Sequence, residues 1–229
     1  MNLIHKMHIC LPSPTFWLCA LLSLSAASHS DNRQEGAAEF SFYIPYAHAE
    51  TIDFKGGAEA NLKDNIGFGF AMAYNVNERV AARFDIDWVR QDYTGKRIID
   101  DDPIEEQKIR SRLDTFRMSL GGDFYFMGEQ NISPFISGSI GWEFLDTNIP
   151  IGPPNTACWW DPWWGYICQN YQNTYTDSNW FYGAGLGIRV AIGRNNFARL
   201  GYYETRSSLN NTESTPRFAV TRFEFGWTY

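Results

Sequence analysis

The stretch Arg217-Phe-Ala-Val-Thr-Arg-Phe-Glu-Phe-Gly-Trp-Thr-Tyr229 decides the fold of this chain. Every second residue from position 219 belongs to one set, which reads Ala, Thr, Phe, Phe, Trp and Tyr. The residues between them, from position 218, are Phe, Val, Arg, Glu, Gly and Thr. Strict alternation is the period of a β-strand, because successive side chains point to opposite faces. One face of this predicted strand is therefore apolar and aromatic, and the other carries charges and small residues.

The same alternation recurs in seven segments upstream, so the sequence predicts eight strands. In these seven segments the bulky residues fall on even numbers, and glycine, alanine, serine and the charged residues fall on odd numbers. No charge falls on the bulky face of any segment core. The bulky sets of the seven segments begin at Phe40, Ile66, Val80, Phe116, Ile136, Trp180 and Ala198.

The connections between the segments alternate in length. Three are tight turns rich in Gly and Asn, at 75–78, 128–131 and 193–196, and these residues tolerate the backbone angles that turns demand. The others are long loops, at 48–64, 91–112, 147–178 and 206–216. Short turns at one end and long loops at the other are typical of a membrane barrel. If both termini lie at the turn end, the chain crosses the membrane an even number of times. Eight strands agree with this requirement.

A soluble eight-stranded barrel of the lipocalin type would also alternate, but its apolar set must fill the interior. Eight strands enclose just enough room for packed side chains or one small ligand. The bulky set here is too voluminous for that space, whereas the opposite set, dominated by Gly, Ala and Ser with a few charges, fits it. Aromatic residues also fall near strand ends, where they suit a membrane interface. We therefore predict an all-β fold: an eight-stranded antiparallel up-and-down transmembrane β-barrel.

The first thirty residues have the pattern of an export signal. Lys6 precedes the apolar run Phe16–Leu24, which is too short to cross a bilayer as a helix, and small residues follow it. We predict a cleaved signal peptide over residues 1–30 and an outer-membrane barrel over residues 31–229. Removing residues 1–30 takes away one lysine and no acid, which leaves 18 basic and 26 acidic residues, a formal net charge of −8. This charge argues against nucleic acid as a partner.

From about Glu39 to Tyr229, the chain resembles the small eight-stranded bacterial outer-membrane barrels, the OmpA/OmpX/OmpW-like group. The resemblance rests on the alternation and on the terminal Phe223-Glu-Phe-Gly-Trp-Thr-Tyr229. It implies a Gram-negative outer membrane, with long loops extracellular and the turns and termini periplasmic. It leaves the activity open, because the group includes anchors, adhesins, small-solute channels and lipid-modifying enzymes.

Catalytic residues are not predicted. Barrel enzymes of the outer membrane resemble one another in needing a histidine as general base, and the predicted mature chain has one, His48, beside Glu50 and Thr51. A base, an orienting acid and a nucleophile must converge in space, and nothing in the sequence indicates that these do. No cofactor is predicted. The acidic stretch at 100–106 matches no recognised calcium loop, so no metal site is predicted either.

The inward face carries an almost balanced set of charges. We expect a lumen network in which Arg83 lies across from Asp123, Arg117 lies between Asp87 and Glu143, and the neighbours Arg189 and Arg199 have Glu224 close by. Buried charges persist when they are paired, so a balanced set favours a structural plug over a selectivity filter. The inward charges are Glu39, Asp85, Asp87, Asp123, Glu143 and Glu224 together with Arg83, Arg117, Arg189, Arg199 and Arg222.

The most unusual loop is Cys158-Trp-Trp-Asp-Pro-Trp-Trp-Gly-Tyr-Ile-Cys168. In an exported protein an isolated cysteine pair usually forms a disulfide, so we predict Cys158–Cys168. Exposed aromatic residues on a constrained loop can stack on sugars or anchor a protein partner. The alternative is that the rings pack on each other over the barrel mouth or lie against lipid headgroups. The candidate recognition residues are Trp159, Trp160, Trp163, Trp164 and Tyr166.

These patterns predict a surface-exposed structural or recognition protein, adhesin-like and without catalytic activity. The first alternative is a passive, porin-like channel for small or apolar solutes, as in the OmpW-like barrels, and the second is a lipid-modifying barrel enzyme. The expected partners are outer-membrane lipid, either lipopolysaccharide or phospholipid, and an extracellular glycan or protein. The oligomeric state is left open.

Overall fold

Eight of the strands close into a barrel, as the alternation predicts. The computed structural model describes residues 34–99, 105–128, 130–209 and 212–229, so the predicted signal peptide lies outside the described residues. No helix in the described part is long and apolar enough to cross a membrane. The strands are β1 (Ala38–Ala47), β2 (Glu50–Asp53), β3 (Glu59–Leu62), β4 (Asn65–Asn75), β5 (Val80–Ile99), β6 (Glu105–Tyr125), β7 (Ile132–Pro150), β8 (Asn155–Asp161), β9 (Gly165–Tyr171), β10 (Thr174–Ile192), β11 (Asn196–Ser207) and β12 (Arg217–Thr228).

The barrel wall runs β1-β4-β5-β6-β7-β10-β11-β12, with every neighbour antiparallel. The first and last strands close it, in a register that places Glu39 opposite Thr228 and Ala47 opposite Val220. The eight-stranded antiparallel fold is therefore confirmed. The tight turns connect β4 to β5, β6 to β7 and β10 to β11, all at the end of the barrel where the described chain begins and finishes.

The bulky set faces outward and the small and charged set faces inward. Phe70 and Ile188 keep 38% and 48% of their surface exposed, although they lie in the middle of barrel strands. Tyr43, on the opposite parity, is completely buried. An apolar surface this extensive is stable only against lipid, because in water it would be left uncovered. The strands therefore present their apolar face to the membrane.

Outward aromatic rings also contact one another along the wall. Phe68, Trp88, Phe116 and Phe144 form a continuous series on four consecutive barrel strands, with ring centroids 5.1, 4.9 and 5.9 Å apart. Cross-strand aromatic pairs are among the more stabilising side-chain pairs of a sheet. This series lies towards the long-loop end of the strands, so it suits the outer interface of the bilayer.

Two of the predicted loops are largely strands. β5 and β6 have 20 and 21 residues and stay paired up to Ile99 opposite Glu105. A transmembrane strand needs roughly 9–11 residues, so this hairpin continues about 30 Å beyond the membrane at 3.3 Å per residue. The sequence placed a loop at 91–112 because charges occupy both faces there, and a strand with water on both sides shows no apolar alternation.

Smaller hairpins occupy the same end of the molecule. β2 and β3 pair with each other, and β3 pairs with β5 above the barrel wall, with Leu62 opposite Tyr93. The second predicted loop, 147–178, holds the ends of β7 and β10 and a separate two-stranded ribbon of β8 and β9. The extracellular end is therefore built of hairpins.

We predict that an arginine on the outward face destabilises the barrel in the membrane. Phe70→Arg and Ile188→Arg should each cost about 2–4 kcal/mol, because a guanidinium near the bilayer midplane loses its hydration. Urea-dependent folding into lipid vesicles, followed by tryptophan fluorescence, measures this free energy. The conservative variants Phe70→Leu and Ile188→Val are the controls. Arginine variants that fold as well as these controls would contradict the outward assignment.

Candidate functional site

A network of charged side chains fills the lumen. All five inward arginines and all six inward acids are buried, each with less than a tenth of its surface exposed. Eight strands leave no wide channel, so these long side chains meet across the centre of the barrel. Ion pairs in such a place last only when further hydrogen bonds satisfy the buried groups.

Glu224 lies at the centre of the network. Arg83 donates two parallel hydrogen bonds to its carboxylate, from Nη1 at 2.9 Å and from Nη2 at 2.8 Å. Ser41 Oγ donates a third at 2.6 Å, and Arg199 Nη1 lies 3.8 Å from Oε1. Arg83 also donates from Nε to Asp85 Oδ1 at 2.9 Å. The two-pronged pairing fixes Arg83 in one orientation.

The remaining arginines each have an acidic partner. Arg222 lies 3.4 Å from both Asp85 and Asp87, Arg189 lies 2.9 Å from Glu39, and Arg199 lies 2.9 Å from Asp123. Arg117 lies 3.4 Å from Glu143, which also accepts a hydrogen bond from Ser207. Most of these pairs join strands that are not neighbours in the wall. Together they tie opposite sides of the barrel to each other.

The register of the network agrees with the sequence in part. Arg117 lies opposite Asp87 on one side and Glu143 on the other, and Arg189 lies opposite Arg199. The expected pair of Arg83 and Asp123 is wrong. Arg83 lies opposite Gly121, and Asp123 lies opposite Ala81. Counting along the wall considers only neighbouring strands, whereas Arg83 extends across the lumen to Glu224 on β12.

Aromatic rings share the lumen with the charges, and the sequence analysis missed them. It described the inward set as small residues with a few charges, but seven inward rings are buried there. Four of the arginines stack on these rings. The guanidinium carbon of Arg222 lies 4.8 and 4.6 Å from two ring centres, and that of Arg199 lies 4.1 Å from another. The buried rings are Tyr43, Tyr125, Phe135, Phe181, Phe197, Tyr203 and Phe218.

Glycines make room for these rings. Tyr43 lies directly opposite Gly69, and Tyr203 lies directly opposite Gly185. A Cβ on Gly69 would be 2.4 Å from Tyr43 Cζ, and one on Gly185 would be 2.2 Å from Tyr203 Cδ1. The same pairing joins Phe135 to Gly187, Phe181 to Gly141 and Phe197 to Gly226. The signal in the sequence was therefore an aromatic residue on the inward parity with a glycine opposite it.

The described contacts of His48 differ from the arrangement considered from the sequence. Its Nε2 lies 2.9 Å from Thr221 Oγ1, and its ring packs against Tyr46 and Tyr202. Its sequence neighbour Thr51 instead donates a hydrogen bond to Asn61, on the other strand of the β2–β3 hairpin. Thr51 therefore contacts a different side chain from His48.

Metal ligands are not gathered in the part of the chain that the structure describes, where no group of three or more His, Cys, Asp or Glu could hold an ion. The acidic stretch singled out in the sequence falls mostly on residues 100–104, which lie outside the described residues.

The tryptophan hairpin, residues 155–171, is the most exposed aromatic feature of the chain. Cys158 and Cys168 lie opposite each other in the β8–β9 register and form a disulfide. At the tip Asp161 Oδ1 accepts hydrogen bonds from the backbone N–H groups of Trp163 and Trp164, at 2.8 and 3.0 Å. Gly165, with φ of +76°, completes the turn in a conformation that suits glycine. Covalent and local hydrogen bonds therefore hold the shape of the hairpin.

The rings of the hairpin face solvent. Trp160, Trp163 and Trp164 keep 75%, 87% and 80% of their surface exposed, and Trp159 keeps 41%. Tyr166, opposite Trp160, is also exposed. β8 and β9 pair only with each other among the described strands. The role of these rings, whether recognition, closure of the barrel mouth or contact with lipid headgroups, stays a prediction.

Loss of the central carboxylate should destabilise the barrel. Glu224→Ala removes the carboxylate that accepts two hydrogen bonds from Arg83. It should lower the free energy of unfolding by about 3–5 kcal/mol, because the buried guanidinium loses an opposite charge that offsets its desolvation. Glu204→Ala, on the neighbouring strand, removes an exposed carboxylate 3.8 Å from Arg217 and should cost no more than about 1 kcal/mol. Urea titrations in vesicles compare the two variants. Equal costs would contradict the role of the network.

A methyl group at an inward glycine should be poorly tolerated. Gly185→Ala must displace the Tyr203 ring and should cost about 1–3 kcal/mol. Gly138→Ala is the matched control, because an added Cβ there has no described atom within 4 Å. It should change stability by less than about 0.5 kcal/mol. If both variants unfold at the same urea concentration, the ring does not depend on the glycine.

Comparison with known proteins agrees with this architecture. The family described as the outer membrane protein beta-barrel domain matches residues 17–229. No curated protein is significantly similar in sequence. The outer membrane protein OprG from Pseudomonas aeruginosa has the same fold, with a TM-score of 0.54 at 9% identity over 86% of this chain and 97% of OprG.

Two further solved structures are similar at a lower level. The N-terminal β-barrel domain of OprF from Pseudomonas aeruginosa has a TM-score of 0.43 at 12% identity, over 85% of this chain and 98% of that domain. Ail, the attachment invasion locus protein of Yersinia pestis, solved in complex with the heparin analogue sucrose octasulfate, has a TM-score of 0.47 at 13% identity, over 86% of this chain and 100% of Ail. The family match covers most of the chain and agrees with the closed eight-stranded wall, so this chain belongs to the outer membrane protein beta-barrel family and lies in the outer membrane of a Gram-negative bacterium.

Proposed function

We propose that the chain is a non-catalytic surface protein that recognises an extracellular glycan or protein through its tryptophan hairpin. The observation that carries this proposal is the disulfide-closed hairpin that holds Trp160, Trp163 and Trp164 almost fully exposed. Exposing a large aromatic side chain to water costs free energy. A group of exposed aromatic side chains therefore commonly marks an interaction site.

The order of the hairpin supports binding. A flexible loop loses conformational entropy when it binds, and a loop that is already ordered loses less. Closing a ring of this size is worth roughly 2–3 kcal/mol in the chain-entropy description. The Asp161 turn adds two local hydrogen bonds at the tip. The rings are therefore displayed in a fixed arrangement before a partner arrives.

The chemistry of the hairpin points to stacking as the mode of contact. Asp161 is the only charged residue between Asn155 and Tyr171, and its carboxylate is engaged with the backbone of the tip. Neither a polyanion nor a polycation has a complementary charge here. Tryptophan and tyrosine rings offer broad apolar faces with one polar atom each, which suits the face of a sugar ring or an apolar patch of a protein.

The channel alternative has less support. A conducting path needs an open lumen, and here paired charges and aromatic rings occupy the cross-section. Glu224 bridges two arginines at its centre, and Arg199 lies against the Phe135 ring. These contacts favour a plug, for which we expect no single-channel steps in a planar bilayer. The enzyme alternative depends on His48, whose described contacts are Thr221 and two tyrosine rings.

Replacing the four tryptophans by serine tests the proposal. The variant with Trp159, Trp160, Trp163 and Trp164 all changed to serine should remain folded, which heat-modifiability on a gel reports, because three of these rings keep at least 75% of their surface exposed. Binding to a glycan array and to host cells should fall at least tenfold, since the displayed apolar faces are gone. The bound ligand on the array would identify the partner.

The double variant Cys158→Ser with Cys168→Ser is the matched control, since it keeps every ring and removes only the constraint. It should bind the same partner more weakly than the wild type and more strongly than the serine variant. If the tryptophan replacements instead unfold the barrel or open a conductance, the hairpin is a lid. Recognition would then be rejected in favour of the channel.

A further inference from the structure

An apolar cavity lies at the extracellular mouth, and it belongs neither to the lumen network nor to the tryptophan hairpin. It has a volume of about 290 Å³ and lies between the β2–β3 hairpin and the upper part of the barrel wall. Its walls are mostly apolar, with Ile52, Phe54, Leu62, Leu113 and Leu209 among the lining residues. Apolar walls around a space of this size are typical of a site for a small molecule.

The hairpin forms this cavity by turning its apolar face inward. Ile52 and Leu62 are almost fully buried, although β2 and β3 lie outside the membrane-spanning wall. They pack with Phe218, which also lies against the guanidinium of Arg117. The apolar cluster under the hairpin is therefore linked to the upper end of the lumen network through Phe218.

Two acidic residues are among those that line the cavity, and their carboxylates differ in how well they are paired. Glu59 lies 3.5 Å from Lys96 Nζ and accepts a hydrogen bond from Asn61. The Asn61 hydrogen bond, helped by the Lys96 ammonium, lowers the pKa of Glu59, so this group is ionised at neutral pH. Asp177 accepts a hydrogen bond from the Ser178 backbone N–H at 2.9 Å. Within the described chain no cationic side chain forms an ion pair with Asp177.

We propose that this cavity binds a small amphiphilic cation, with an apolar body in the pocket and one ammonium group at Asp177. The volume admits roughly ten non-hydrogen atoms at about 30 Å³ each. The apolar lining selects the body, and the unpaired carboxylate selects the sign of the charged end. An anionic molecule of the same shape would meet two carboxylates and be disfavoured. The occupant lies in a partly open pocket at the extracellular mouth of the barrel.

Methyl NMR of the protein in lipid nanodiscs can test this with two matched probes. 4-Phenylbutylammonium and 4-phenylbutyrate share one apolar body and carry opposite charges. The ammonium probe should shift the methyl signals of Ile52 and Leu113 in a saturable way. The affinity of the carboxylate probe should be lower by about tenfold or more. This is the order expected when a like charge replaces an opposite charge near a surface. Ile188, on the lipid-facing wall, reports simple partition into the bilayer.

Two variants separate the cavity from its charge. Gly95 lines the cavity, and a Cβ there would have its nearest neighbour at 3.7 Å, so the site has room for a Cβ, and the larger side chain of Gly95→Leu should fill the space and abolish binding of the ammonium probe. Gly138→Leu makes the same change on the lipid-facing surface and should leave binding unchanged. Asp177→Asn should weaken the ammonium probe about three- to tenfold and leave the carboxylate probe unweakened.

The contrary outcomes are equally specific. The proposal is overturned if the Ile52 and Leu113 signals move only in parallel with Ile188, without saturation. It is also overturned if a heat-modifiable Gly95→Leu protein binds the ammonium probe like the wild type, or if both probes bind equally. The protein with four tryptophans changed to serine should bind the ammonium probe normally, so failure of the recognition proposal would not affect this one.

Discussion

The whole structure depends on the pairing of β1 with β12. In the hydrocarbon core no water is present to hydrogen-bond the backbone, so every strand needs a partner on both edges. The first and last barrel strands supply each other's missing edge, from Glu39 opposite Thr228 to Ala47 opposite Val220. Once closure is required, eight strands determine a narrow interior, and the narrow interior determines which side chains can fill it.

The interior is filled by two complementary arrangements. Glycine on one strand receives an aromatic ring from the next, and that ring in turn supports an arginine. Tyr203 shows both contacts, since it lies over Gly185 and against the guanidinium of Arg222. The aromatic rings and the charged side chains therefore fill the lumen together, and the charged groups pack against the apolar faces of the rings. The extracellular end, where water replaces lipid, is built of hairpins.

The sequence predicted the wall far better than the contents of the barrel. Alternation revealed the eight strands and their outward faces, because lipid on one side imposes a period of two on every strand. It failed for the predicted loop 91–112, because charged residues occur at both parities of the sequence there. It also failed for Arg83, because its partner Glu224 is on β12, which two strands separate from β5 in the wall, and only the closed barrel brings the two side chains together. For the tryptophan hairpin, the sequence predicted the loop closed by the two cysteines. The exposure of the tryptophan side chains became visible only in the structure.

The cross-lumen pairs have a consequence for how the protein reaches its folded state. Arg83 and Glu224 are 141 residues apart, and Arg189 and Glu39 are 150 apart. No partial assembly of neighbouring hairpins brings these partners together, so every intermediate with an open seam leaves guanidinium groups uncompensated in an apolar environment. Such intermediates are high in free energy, and sequence-distant contacts of this kind slow folding. The charges that plug the finished barrel therefore also make its assembly cooperative, since the cross-lumen pairs of the network form only when the last strand joins the first.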